Sequence, residues 1–157
     1  MKIVPNLWFD TEAEEAATFY VSLFDDARIL TAVPYGDAGP GEAGSTMIVS
    51  FELLGREYVA INGGPQFPFT EAVSFEVRCP DQAEVDRLWD ELTADGGQEV
   101  QCGWLKDRYG LSWQIVPERW MELATGDDPR KVEAAMSAML EMKKLDIEAL
   151  ERAYAEA

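Results

Sequence analysis

The residues that most often carry protein chemistry are scarce in this sequence. It contains no histidine and only two cysteines, Cys79 and Cys102. A zinc site built from cysteine and histidine needs about four such ligands, so this class of metal site is excluded. A cysteine nucleophile needs a neighbouring cation or a histidine base to form its thiolate, and no histidine exists to do so. We expect both cysteines to be free thiols, because two are too few for a disulfide framework.

Two glycine-rich stretches are candidate cofactor loops. Nucleotide-like cofactors usually lie on a glycine turn between a strand and the first turn of a helix. Gly36 to Gly44 leads into a predicted strand, and Gly63-Gly64 leads into Pro65-Gln66-Phe67-Pro68-Phe69, which cannot begin a helix. Neither stretch has the required context, and we expect no cofactor.

Charge and hydropathy restrict the partners. The 157 residues include 13 basic and 30 acidic side chains, a net charge of −17. This balance repels nucleic-acid phosphates and anionic lipid surfaces. The apolar runs are only a few residues long, and the amino terminus has no cleavable-signal pattern. We predict one cytoplasmic domain, residues 1–157, that binds neither nucleic acid nor membranes.

The first part of the chain predicts a β-α-β-β-β module. A strand at 3–9 precedes Thr11-x-x-Glu14, which has the pattern of a helix capping box. The helix that follows places Ala13, Ala16, Ala17, Tyr20, Leu23 and Phe24 on one stripe. Further strands are predicted at 27–33, 46–53 and 58–62. This module spans about 1–64.

A second module of the same order follows, over about 70–117. It begins with a strand at 72–79 and a helix capped by Asp81-x-x-Glu84, whose buried stripe is Val85, Leu88, Trp89 and Leu92. Strands are predicted at 98–102, 103–106 and 111–116, the last two joined around Arg108-Tyr109-Gly110. The fold class is therefore α+β, with two tandem modules.

Residues 118–157 predict a helical tail. Asp128-Pro129 and Asp146 are typical helix starts, and Leu145 and Leu150 are spaced to clasp the second start as a hydrophobic staple. Two short helices are expected. They would cover either their own domain or a partner subunit.

Several segments resemble a known superfamily. Asp107 to Ile115 is similar to the last hairpin of glyoxalase-type proteins, where a D-P-x-G-N turn leads into a strand bearing a metal-binding glutamate; here that position is Gln114. WFDTEAEEAATFY, INGGPQFPFTEAVSFEV, CGWLKDRYGLSWQIVP and MKKLDIEALERAY resemble the PhnB-like branch of the vicinal-oxygen-chelate superfamily, often labelled demethylubiquinone methyltransferase-like. The resemblance covers nearly the whole chain. It implies curved mixed sheets around a cleft, commonly completed in a homodimer.

The resemblance also implies where a site would lie, since metal enzymes of this superfamily take their ligands from the first and last strands of each module. If Leu7 and Phe9 pack against the first helix, alternation turns Asn6 and Trp8 into the cleft. The predicted ligand-binding residues are Asn6, Trp8, Asn62, Ser74, Glu76, Trp104, Lys106 and Gln114. Amides and hydroxyls are poor ligands for transition metals, so we predict a metal-free site.

Three functions follow from these residues. The leading hypothesis is a homodimer that binds a small organic molecule between aromatic surfaces and orienting amides. The second is a lyase, isomerase or transferase that uses Glu76 or Gln114 with a recruited divalent metal; Glu76 is the candidate catalytic base if apolar surroundings make it more basic. The third is a drug-sequestering protein of the resistance type. Structural roles compete with these: Trp8 and Trp113 as core residues, and Lys106 with Asp107 as a solvated hairpin pair.

Overall fold

The computed structural model describes all 157 residues of the chain. They form two compact units, Met1–Phe69 and Thr70–Ala157. The division falls between the two predicted modules, and each unit contains the predicted β-α-β-β-β order. The α+β prediction is confirmed. That the two units form one domain stays a prediction.

The first unit is a four-stranded mixed sheet with one helix on it. Its elements are β1 (Asn6–Phe9), α1 (Ala13–Ser22), β2 (Ala27–Pro34), β3 (Thr46–Leu53) and β4 (Arg56–Asn62). The strand order is β1-β4-β3-β2, with β1 parallel to β4 and the other pairs antiparallel. The predicted stripe of α1 is buried apart from its last member, Phe24, which is half-buried. The apolar face of the sheet supplies Val49, Phe51 and Ala60 to the same core.

The start of α1 differs from the prediction. The N-cap residue is Glu12, whose side chain makes no capping hydrogen bond, and the Glu12 carboxylate accepts from the backbone N–H of Thr11. The N–H of Ala13 donates to Oδ1 of Asn62 at 2.8 Å. The capping-box prediction is therefore wrong, because the helix begins after Glu12 instead of Thr11 and a side chain from β4 accepts from the N–H of its first residue.

The second unit repeats this arrangement. Its elements are β5 (Ser74–Cys79), α2 (Gln82–Thr93), a short 3₁₀ turn, β6 (Gln98–Glu99), β7 (Trp104–Lys106) and β8 (Ser112–Pro117). The strand order is β5-β8-β7-β6, with β5 parallel to β8. The α2 stripe is fully buried as predicted. Its cap is also confirmed, since Asp81 accepts a hydrogen bond from the N–H of Glu84 at 2.9 Å.

The strand predicted at 98–102 ends early, at Glu99. The N–H groups of Cys102 and Gly103 donate to the carbonyls of Met142 and Lys143, at 2.8 and 2.7 Å. Cys102 also has a φ of 59°, outside the range of a strand. The tail therefore takes the backbone groups that a longer β6 would have used.

The tail forms three helices, α3 (Glu118–Ala124), α4 (Pro129–Leu140) and α5 (Ile147–Ala155). The starts at Asp128 and Asp146 are confirmed, whereas α3 was not predicted. Leu145 and Leu150 are buried together with Leu123. The side-chain amide of Gln82 donates to the carbonyl of Leu145 at 3.0 Å and accepts from the N–H of Ile147 at 2.9 Å. The tail thus packs on its own unit. None of the helices is long and apolar enough to cross a bilayer.

Candidate functional site

Five of the eight predicted site residues lie on one face of the second sheet. Strand pairing aligns Trp104, Gln114 and Glu76 in one row across β7, β8 and β5, and Lys106, Ser112 and Ser74 in the next row. Directly paired residues point to the same side of a sheet. We call these six residues the polar face. The opposite side carries Leu105, Trp113 and Ile115, which are almost fully buried on the α2 side of the sheet.

Gln114 is hydrogen-bonded within the polar face. Its Nε2 donates to the Ser74 hydroxyl at 2.9 Å, a diagonal contact between the two rows. This bond fixes the orientation of the amide and presents Oε1 as an acceptor. Trp104 is half-buried beside Gln114 and offers an aromatic surface next to that acceptor.

Lys106 forms an ion pair with Glu71, which lies in the turn before β5. Asp107 has no part in it, because successive side chains of an extended chain point to opposite sides. Asp107 is only 2% exposed, and its carboxylate accepts hydrogen bonds from the Tyr109 and Leu111 amides and from the Trp113 indole. The expectation of a solvated Lys106–Asp107 pair is therefore wrong. The assignment of Trp113 to the core is confirmed.

Ser112 is the functional candidate that the sequence analysis missed. Its side chain is 1% exposed, and its hydroxyl has no hydrogen-bond partner in the structure. It occupies the centre of its row, between Lys106 and Ser74. The period-two alternation from Gln114 would have placed it on this face.

Glu76 lies at the rim of the polar face. Its carboxylate is exposed and accepts a hydrogen bond from Nε of Arg78 at 2.7 Å. The apolar surroundings on which its role as a general base depended are not found. That part of the expectation is corrected, because strand β5 lies at the sheet edge and turns this side chain toward solvent.

In the first unit, Asn6 and Trp8 share the sheet face opposite α1, as predicted. Asn6 is exposed and Trp8 is half-buried. The indole Nε1 of Trp8 donates to the carbonyl of Gly64 at 2.8 Å, and a Cβ placed on Gly63 would lie 2.1 Å from its ring. The indole is therefore held by the glycine turn that follows β4.

Asn62 does not share that face. It pairs with Phe9, whose side chain is buried on the α1 side of the sheet. Its Oδ1 caps α1 and its Nδ2 donates to the carbonyl of Thr46 at 3.0 Å. The predicted grouping of Asn62 with Asn6 and Trp8 is wrong, because β1 and β4 are paired in parallel with Asn62 beside Phe9.

Asn62 instead borders a cleft of about 540 Å³ in the first unit, which the sequence analysis did not predict. The cleft lies where β1 and β4 end, and the loop after β2 forms one wall. Its polar lining is mostly acidic or hydroxylated, and the residues are Asp10, Thr11, Glu14, Tyr35, Pro40, Gly41, Glu42, Ser45, Thr46, Asn62, Gly63, Gly64 and Gln66. The Tyr35 hydroxyl donates to the carbonyl of Asn62 and holds the loop against the end of β4.

The donor groups do not fit the metal centre of the superfamily's enzymes. The chain has no cluster of three or more histidine, cysteine, aspartate or glutamate side chains that could hold a metal ion. Gln114 engages Ser74, and Glu76 is paired with Arg78. Cys79 is fully buried, and this burial raises the pKa of its thiol to about 12; Cys102 is half-buried, and neither forms a disulfide. Neither glycine-rich stretch begins a helix.

Comparison with known proteins agrees with this architecture. The family model for 3-demethylubiquinone-9 3-methyltransferase matches residues 1–116. A solved Bacillus cereus protein, described as a putative 3-demethylubiquinone-9 3-methyltransferase and PhnB protein, is 35% identical with a TM-score of 0.68; the alignment covers 74% of this chain and 99% of that one. A Pseudomonas aeruginosa protein is 23% identical with a TM-score of 0.62, over 75% of this chain and 98% of that one.

No curated protein matches the chain. The family match ends at Val116. It therefore does not include the tail segment MKKLDIEALERAY, and the resemblance of that segment to the PhnB-like branch stays a prediction. The family match does include β1 to β4, β5 to β7, and almost all of β8. The chain therefore belongs to the 3-demethylubiquinone-9 3-methyltransferase family, the PhnB-like branch of the vicinal-oxygen-chelate superfamily.

Proposed function

We propose that the protein binds a small organic molecule on the polar face of its second sheet, with no bound metal. The observation that carries this proposal is the alignment of an aromatic ring, an oriented amide and a lysine in two adjacent rows of that face. Ligand sites in proteins combine apolar surface with a few fixed polar groups, which is the composition found here.

Each group has a distinct role in the proposed site. The Trp104 ring packs against the apolar part of the ligand, and Oε1 of Gln114 accepts a hydrogen bond from it. Ser74 keeps the amide of Gln114 in place. The other three predicted ligand-binding residues, Asn6, Trp8 and Asn62, belong to the first unit and are not part of this proposed site; Trp8 donates to the carbonyl of Gly64, and Asn62 accepts from the N–H of Ala13.

A thermal-shift screen of small metabolites and antibiotics tests the proposal, because a ligand that binds only the folded state raises Tm. Trp104→Ala removes the aromatic surface. Trp120→Ala is the matched control, since Trp120 is also half-buried but packs against the tail cluster. We expect hits that stabilise the wild type and Trp120→Ala but not Trp104→Ala. Equal stabilisation of both variants would contradict the proposed site.

Product analysis of each hit separates the remaining functions. A hit recovered unchanged supports a binding or drug-sequestering protein, and an altered hit identifies an enzyme. Repeating the incubation with zinc, nickel or manganese tests the recruited-metal alternative, in which turnover depends on the added ion and on Glu76. A Glu76→Gln variant with full turnover would remove Glu76 from that mechanism.

We also propose that the protein is a cytoplasmic homodimer. Its two cysteines are unpaired, as in proteins of reducing compartments. Strand β2 is an edge strand with exposed Ile29, Leu30 and Val33, a surface that favours pairing with a second copy. Light scattering after size exclusion should give twice the mass of the 17.5 kDa chain. A monomer throughout the accessible concentration range would refute the dimer.

A further inference from the structure

The hydroxyl of Ser112 is buried without a partner at the centre of the polar face. Buried hydroxyl groups are nearly always hydrogen-bonded, so an orphaned one needs an explanation. On this face its row neighbours are Lys106 and Ser74, and the Ser74 hydroxyl already accepts from Gln114. Ser112 is therefore a donor placed beside a lysine on the surface proposed to bind the ligand.

The ion pair of Lys106 with Glu71 joins elements on either side of the strand that carries Ser112. Lys106 is on β7 and Glu71 lies in the turn before β5, and β8 is the strand between β5 and β7. Lys106 is paired directly with Ser112, the first residue of β8, so the lysine and the buried hydroxyl share one row of the polar face.

Glu71 is the replaceable member of the pair. Its side chain is 62% exposed in a turn, whereas that of Lys106 is 29% exposed in the sheet. The hydrogen bond from Lys106 lowers the pKa of the Glu71 carboxyl, so the pair favours the ionised carboxylate. The other carboxylate of the face, Glu76, is paired with Arg78.

We propose that Lys106 and Ser112 form a subsite for the carboxylate group of a small organic acid, and that Glu71 occupies Lys106 in the free protein. The ligand carboxylate replaces that of Glu71 on Lys106 and accepts a hydrogen bond from Ser112. The exchange keeps a carboxylate on Lys106 and releases that of Glu71 to solvent, where water hydrates it. Lys106 is thus the positive charge that offsets the repulsion of an anion by a chain of net charge −17. The organic part of the acid lies on Trp104, one row away. This inference rests on the proposed function of the polar face.

Phenylacetate and its neutral analogue phenylacetamide are the probes, titrated by calorimetry into full-length wild type, Glu71→Gln and Glu71→Gln/Ser112→Ala. Glu148→Gln is the charge-matched control, because Glu148 forms an ion pair with Arg152 on exposed α5. Glu71→Gln removes the competing carboxylate and should tighten phenylacetate binding about tenfold relative to wild type. Glu71→Gln/Ser112→Ala also lacks the hydroxyl donor and should bind phenylacetate about tenfold more weakly than Glu71→Gln. The affinity for phenylacetamide should be the same in wild type and Glu71→Gln, and Glu148→Gln should bind both probes with wild-type affinity.

Three results would overturn the subsite. They are equal affinities for phenylacetate in Glu71→Gln and Glu148→Gln, equal affinities in Glu71→Gln and Glu71→Gln/Ser112→Ala, and no phenylacetate binding to Glu71→Gln at about 10 mM. These results differ from failure of the proposed function. A neutral hit that requires Trp104 would leave the polar face as a ligand site while removing the carboxylate subsite. Loss of every Trp104-dependent hit would remove both.

Discussion

Replacing Asp107 tests how the turn before β8 holds the polar face in place. The carboxylate accepts hydrogen bonds from the Tyr109 amide at 2.9 Å, the Leu111 amide at 3.0 Å and the Trp113 indole at 2.9 Å. Leu111 and Trp113 are 2% and 1% exposed, so water cannot replace the lost acceptor at these two donors. Each buried donor left unsatisfied costs about 1–3 kcal/mol. With two such donors, Asp107→Ala should lower the free energy of unfolding by about 2–6 kcal/mol.

Asp107→Asn gives a graded version of the same test. The amide keeps an oxygen for the Tyr109 and Leu111 N–H groups but turns an NH₂ group toward the Trp113 indole N–H. We expect a loss of about 1–3 kcal/mol, from one buried bond. In combination with Trp113→Phe, which removes the indole donor, the loss should be less than additive.

Urea denaturation followed by far-UV circular dichroism measures these free energies. Since a domain is commonly stable by only about 5–15 kcal/mol, Asp107→Asn is the variant to rely on if Asp107→Ala does not fold. A loss below about 1 kcal/mol for Asp107→Ala would refute the reasoning, because a solvated carboxylate would behave in that way. Strict additivity of Asp107→Asn with Trp113→Phe would also refute the direct bond.

Three further changes have defined outcomes. Gly63→Ala should displace the Trp8 indole, since the new Cβ would lie 2.1 Å from its ring, and tryptophan fluorescence should shift; an unchanged spectrum would contradict this packing. Cys79 should stay unreactive toward a thiol reagent in the folded protein, while Cys102 reacts. Burial raises the Cys79 pKa to about 12 from 9.0, so the thiol ionises at lower pH in the unfolded chain than in the folded one. The free energy of unfolding should therefore fall as pH rises above 9.0, and it should fall less in Cys79→Ala. Gln82→Ala should speed hydrogen exchange in α5 by removing both of its bonds to the tail; unchanged protection would show that the apolar cluster alone holds it.

The fold could be predicted where sequence signals are local. Asp81 caps α2, and the α2 stripe is buried, because both depend on residues within one or two helical turns. The start of α1 depends on Asn62, which is 49 residues from Ala13, and no local pattern contains that contact. The shortened β6 has the same cause, since its missing partners are in the tail.

The candidate site was predictable in part for the same reason. Alternation grouped Ser74 with Glu76, and the pairing of β5, β7 and β8 added Trp104, Lys106 and Gln114. The prediction for Asn62 failed, because the sequence of β1 or of β4 alone does not determine the register in which the two strands pair. The role of Asp107 could have been predicted from the sequence, because an aspartate at the start of a glycine-containing turn commonly accepts hydrogen bonds from the backbone amides that follow it.

The direct test of the central claim is to locate a bound ligand. Amide and indole chemical shifts of ¹⁵N-labelled protein, titrated with a Trp104-dependent hit from the thermal screen, report which residues the ligand reaches. We expect the largest changes at Trp104, Ser112 and Gln114, including the indole N–H of Trp104. Changes confined to the α2 side of the sheet, or to the cleft of the first unit, would contradict the claim.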